Sequence, residues 1–134
     1  MISKYYEINK FKEKFKFYLF YEENEGLKLE VTKTIFKKFT KENTYKYSEK
    51  DIIFNKETII ENIVSKSFFE NEKLILISDV SDKILNVIEE IIETDPKDII
   101  LILFAKKLDK RSKIRTFFEK NKDTLCVPFY QDTN

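Results

Sequence analysis

KLILIS, residues 73–78, and DIILILFA, residues 98–105, decide the fold of this chain. Neither alternates between apolar and polar positions. A strand apolar at every position is covered on both faces, and that is the habit of a parallel sheet between two layers of helices. The segments around these two have the matching periods. KFKFYLFY, ending at Tyr21, first alternates and then becomes continuously apolar, as a strand does. NEGLKLEVTKTIFKKF follows as a helix, with Leu27, Val31, Ile35 and Phe39 spaced four apart on one face. TYKYS, Thr44 to Ser48, alternates as a short strand. KETIIENIVSK is a helix with Ile59, Ile60, Ile63 and Val64 on one stripe and Asn55 placed to cap it.

SDKILNVIEEIIET is the clearest helix. Ser81 caps it, Asp82 suits its positive end, and Ile84, Val87, Ile88 and Ile91 form the buried stripe. Asp95-Pro96 stops it. Asp109 opens a further helix, KRSKIRTFFEKN, with Ile114, Phe117 and Phe118 facing inward. TLCVPFY is the last strand, where Pro128 suits an edge or a strand end. The expected fold is therefore α/β: a three-layer domain with a five-stranded parallel sheet flanked by helices.

The 134 residues suit one domain spanning 1–134, and the polar QDTN ending reads as a fragment cut from a longer chain. Charged residues make up 37% and hydrophobic residues 42%, with a net charge of +1. Interspersed lysines and acids at so even a balance argue against a dedicated nucleic-acid surface. No apolar run is long enough to span a membrane, and the N-terminus is too charged for a signal peptide. The single cysteine, Cys126, lies in an apolar strand and is expected to be a buried, inert thiol.

Absences narrow the chemistry further. Without histidine there is no imidazole base, histidine-dependent triad or histidine metal site. With one glycine, Gly26, there is no glycine-rich phosphate loop. In open parallel sheets ligands bind at the carboxyl ends of the strands. Glu22, Glu23 and Glu25 follow the first strand, and three carboxylates there would repel a triphosphate. Asp79 follows the third strand, where an aspartate can hold magnesium, but there is no phosphate loop to share it with. Acids after strand one and Asp79 after strand three also sketch a phospho-acceptor receiver domain. That pattern needs a lysine ending the fifth strand, and here Phe129, Tyr130 and Gln131 stand there. A degenerate P-loop NTPase and an atypical receiver are thus the alternative readings. The basic run KKLDKRSKIR, Lys106 to Arg115, reads as a solvated helix start or as a contact for phosphate or an acidic partner. Phe68 and Phe69, just ahead of KLILIS, are either core or meant for another protein.

Three stretches, FYLFYEENEGLKLE, SKSFFENEKLILISDV and LILFAKKLDKRSKIRTFFEKN, together resemble the N-terminal domain of the delta subunit of bacterial DNA polymerase III. The resemblance runs in order from about Phe17 to Tyr130. It implies an AAA+-like fold without a functional phosphate loop, no ATP hydrolysis and no cofactor. It implies a clamp-loader subunit that binds and opens the ring-shaped sliding clamp during replication. Ser67, Phe68 and Phe69 would then be the clamp-binding residues, with the phenylalanines entering a hydrophobic pocket on the clamp. The further partners it implies are the other loader subunits, through domains missing here, and DNA only through the complex. It implies a cytoplasmic, replisome-associated protein with no membrane contact. The chain departs from the family pattern at Glu22 and Glu70, where glycine is common, and at Val64, where some members have a polar residue.

Overall fold

The computed structural model describes residues 1–65 and 72–130. Among these, five strands form one parallel sheet: β1 (Phe17–Tyr21), β2 (Thr44–Ser48), β3 (Lys73–Ser78), β4 (Ile99–Phe104) and β5 (Thr124–Pro128). Their order across the sheet is β2-β3-β4-β1-β5. The helices are α1 (Glu25–Ile35), α2 (Glu49–Phe54), α3 (Lys56–Val64), α4 (Leu85–Glu93) and α5 (Lys113–Lys120).

Topology follows from the handedness of crossovers. From β2 through β3 and β4 to β5 the chain moves one way across the sheet, and α2 to α5 lie on one face. From β1 to β2 it moves the other way, so a right-handed crossover puts α1 on the opposite face. Alternate residues serve the two layers. Ile99, Leu101 and Leu103 of β4 join Ile59, Ile63, Ile88, Ile91 and Phe118 in the first core. Ile100 and Ile102 join Tyr18, Phe20, Phe36 and Leu125 in the second. Every residue of β1 is buried, as its position between two strands requires. The expected three-layer architecture is the one observed.

Several boundaries differ from the sequence reading, each for a local reason. α1 ends at Ile35 instead of Phe39, and its deepest stripe is Lys28 and Thr32, followed by Phe36 at its C-cap. Leu27, Val31, Ile35 and Phe39 flank that stripe half-buried, against the second core. The periodicity located the correct side of the helix but centred it one residue early. α2 was not anticipated. Ser48 and Asp51 start it with a reciprocal capping box, the Asp51 N–H donating to Ser48 Oγ at 3.1 Å and the Ser48 N–H to Asp51 Oδ2 at 2.9 Å. Asn55 does not cap α3; its side chain donates to the Asp51 carbonyl. Asp82 to Ile84 form a 3-10 turn ahead of α4, with the Ser81 hydroxyl accepting from the Lys83 N–H. Asp109 organises a turn, accepting from the Arg111 N–H at 2.8 Å, and α5 itself starts at Lys113 with Ser112 as its cap.

The two edges of the sheet are treated differently. Residues 1–3 lie along β5, with the Ser3 N–H donating to the Cys126 carbonyl and the Cys126 N–H to that of Met1. Cys126 is fully buried there, and desolvation pushes its thiol up to about 12, with the Glu119 charge adding to it. The burial expected of this thiol is observed. No described strand covers the outer edge of β2.

Candidate functional site

β1 and β4 are neighbours whose outgoing connections leave in opposite directions over opposite faces. In open α/β sheets that is the switch point, where a crevice for ligands opens beyond the strands. Here the crevice is closed by the chain itself. Beyond the strand ends the Ala105 N–H donates to the Phe20 carbonyl at 2.9 Å, and the Glu22 N–H to that of Lys106 at 2.9 Å. Glu22 takes a positive φ of 82° to turn the chain, so only residues 22–24 separate β1 from α1. A connection this short has no slack with which to encircle a phosphate. Asn24 caps α1, accepting from the Leu27 N–H.

The position facing the crevice on α1 belongs to Lys28. Its side chain is 1% exposed, and its ammonium donates to the Ala105 carbonyl at 2.7 Å and to Glu25 Oε1 at 2.9 Å. An ammonium without water requires such partners. The arrangement turns the positive group of the crevice onto the protein's own backbone and carboxylate. Sequence reasoning missed Lys28; the one available signal was the Glu25–Lys28 spacing of i,i+3.

The other strand ends carry no assembled chemistry. Asp79 is exposed, with a φ of 56°. Among the described residues no group of three or more His, Cys, Asp or Glu is arranged to hold a metal ion. The basic run after β4 divides. Arg115 turns inward, donating to the Leu108 carbonyl at 2.8 Å and to Glu119 at 3.2 Å, with its guanidinium 5.2 Å from the Tyr21 ring centre. Lys106, Lys107, Lys110, Arg111 and Lys113 stay exposed.

Cations at the start of α5 oppose the helix dipole. Asp82 answers them from the turn before α4. Its carboxylate accepts from Ser112 Oγ at 2.8 Å, the Ile114 N–H at 3.0 Å and the Lys113 N–H at 3.1 Å. Partial burial alone would raise this carboxyl, but these hydrogen bonds and the Lys113 charge outweigh it and hold it below its ordinary value. A lowered folded-state value stabilises the fold above the unfolded value and loses that effect as pH falls. Asp82→Asn is therefore expected to cost about 1 kcal/mol at neutral pH, the scale of a helix cap. The gap from the parent should close in urea titrations as pH drops below about 3.9 toward the folded-state value.

Ser67, Phe68 and Phe69, the residues proposed from the sequence for clamp binding, lie outside the described residues. The ends of their connection are described. Ser65 is the C-cap of α3, and Lys73 begins β3. The buried Lys73 donates its ammonium to the carbonyls of Asn62 and Ser65, both at 2.9 Å. It thereby satisfies the C-terminal carbonyls of α3, where a cation is favoured, and ties together the two ends of the connection. Tyr45 lies beneath it, its ring centre 5.9 Å from the ammonium.

Residues 18–127 match the family model described as DNA polymerase III, delta subunit. The fold is similar to that of the Bacillus subtilis DNA clamp loader delta protein (YqeN), with a TM-score of 0.69 and 17% identity over 93% of this chain and 41% of that one. It is also similar to a DNA polymerase III gamma subunit-related protein from Thermotoga maritima, with a TM-score of 0.60 and 13% identity over 98% of this chain and 47% of that one. The chain thus spans less than half the length of either solved relative. No curated protein matches it by sequence. The fold is shared with these two structures, and the family match covers most of the described fold. The chain belongs to the DNA polymerase III delta subunit family.

Proposed function

We propose that this chain is the sliding-clamp-binding domain of a clamp-loader subunit and that it works without hydrolysing ATP. Ser67, Phe68 and Phe69 are the docking residues, and the two aromatic rings enter an apolar pocket on the clamp. Domains outside this chain join it to the other loader subunits, and DNA is met only through the assembled complex. The observation that carries the reading is the Lys73 ammonium bridging Ser65 and β3, within a chain of the delta family. A connection whose ends are fixed presents its side chains to a partner at lower entropic cost than a free one.

The crevice at the β1/β4 switch point supports the non-catalytic half of the proposal. Lys28 is committed to Ala105 and Glu25, and Glu22, Glu23 and Glu25 crowd the exit of β1. A triphosphate placed there would meet carboxylates and no loop of amide donors.

Two measurements test the reading. The chain is expected to bind an immobilised sliding clamp from the same organism with or without nucleotide. Its melting temperature is expected not to move with Mg²⁺ and ATP at millimolar concentration. A saturable rise with ATP would instead identify a nucleotide-binding protein, and failure to bind the clamp would remove the proposed function.

A further inference from the structure

The face of the sheet that carries α1 is short of cover. Four helices lie over the opposite face, whereas here α1 and the N-terminal segment serve all five strands. The shortage falls at the β2 edge, leaving a groove of about 380 Å³. Its floor is Thr44 and Lys46 of β2 beside Leu74 and Leu76 of β3, paired in register. Leu29, Phe36 and Phe39 form the apolar wall. Leu29 is 54% exposed.

The rim has one sign. Lys33, Lys37, Lys41 and Lys46 line the groove and no acidic residue does. All four are exposed, and none forms a salt bridge among the described residues. The neighbouring Lys38 is already paired with Glu72, and Glu42 is turned to the Thr40 hydroxyl. A single lysine on an edge strand serves to repel other strands. Four in a groove with an apolar wall and two floor leucines exceed that need and select for an occupant carrying carboxylates beside aliphatic groups.

We propose that this groove and the outer edge of β2, along which no described strand lies, together form a docking site for an extended acidic–apolar segment of another protein. The segment adds as a strand outside β2. Side chains in a strand alternate between faces, so every second one enters the groove beside Thr44 and Lys46. Aliphatic side chains cover Leu74, Leu76 and Leu29 while carboxylates reach the four ammonium groups. The floor leucines offer no flat ring on which bases would stack, and of the two wall rings Phe36 is buried and Phe39 half-buried, which favours a peptide over single-stranded nucleic acid.

The proposed groove uses none of Ser67, Phe68 and Phe69 and does not require clamp binding, so the two proposals fail separately. The test titrates a capped ten-residue peptide of alternating leucine and glutamate into the ¹⁵N-labelled chain. Amide shifts are expected at residues 44–48 and 33–41, with binding weakened at least tenfold in the Lys33→Glu/Lys37→Glu/Lys46→Glu variant. Should that variant not fold, raising salt from about 50 to about 300 mM gives the second measurement, again with at least tenfold weakening expected. Several results overturn the proposal: shifts mapping elsewhere, no binding at millimolar peptide, equal binding of a leucine–lysine peptide, or tighter binding of a ten-nucleotide oligothymidylate at the same amides. Concentration-dependent shifts of those amides without peptide would assign the edge to a second copy of the chain and overturn it as well.

Discussion

The Phe68→Ala/Phe69→Ala double variant is expected to lose binding to the sliding clamp while keeping its fold. Each aromatic ring can bury about 150–250 Å² in a partner's pocket. Residues that anchor an interface in this way typically cost about 2 kcal/mol or more apiece when truncated. Two such losses weaken binding by about a thousandfold if they add. The readouts are surface plasmon resonance against the immobilised clamp and thermal denaturation of the same samples. A melting temperature within a few degrees of the parent, with binding gone, supports the docking role. Loss of several kcal/mol of stability in each single variant would place the two rings in the core and remove the proposed site. Phe54, at the end of α2, is 80% exposed and serves as the control aromatic: Phe54→Ala is expected to leave both readouts unchanged.

The largest effect on stability is expected at a charged residue. Lys28→Ala removes the donor to the Ala105 carbonyl and empties the space of a fully buried side chain. Leaving a buried carbonyl unsatisfied costs about 1–3 kcal/mol, and the cavity adds to it as it does when methionine becomes alanine. A combined loss of about 3–5 kcal/mol should lower the melting temperature by roughly 10 °C or more. Lys28→Met keeps most of the volume and should lose only the hydrogen-bond share. Glu25→Gln isolates the ion pair. Because Glu25 is 60% exposed, water can partly replace it, so its effect should be the smallest of the three. A Lys28→Ala protein melting within a degree or two of the parent would show that the crevice relaxes without its ammonium.

Lys28 also shows where reading the sequence stopped. A helix with leucine, valine and isoleucine four apart has its apolar side fixed by the 3.6-residue period. The period cannot say that the next row, Lys28 and Thr32, lies directly on the sheet. That depends on a carbonyl contributed by Ala105, 77 residues away in sequence. The helix dipole likewise made the lysines before α5 look out of place. Asp82 resolves this from 30 positions upstream, in a carboxylate that sequence reasoning assigned to the start of its own helix. Local capping was partly legible: Ser81 accepts as expected because a cap acts within a few residues, whereas Asn55 turns to the Asp51 carbonyl and does not cap α3. α2 escaped notice although its capping box at Ser48 and Asp51 was in plain sequence, because its six residues are too few to set up a period.

The sequence by itself determined the fold class. The strands β3 and β4 are apolar at every position, and this demanded cover on both faces and hence parallel strands joined by helices. It also excluded a glycine-rich phosphate loop and imidazole chemistry, because those depend on residue types that are simply absent. The family likeness, too, could be read from the three quoted stretches. Tertiary structure alone decided what depends on distant partners: that the crevice at the switch point is filled by Lys28, that Lys73 ties the ends of the connection before β3, and that four lysines line a groove beside β2, whose outer edge no described strand covers. The physical reason is range. Side-chain pattern and local hydrogen bonds act over a few residues, whereas burial, charge pairing and an uncovered edge are set by which segments the sheet order places side by side.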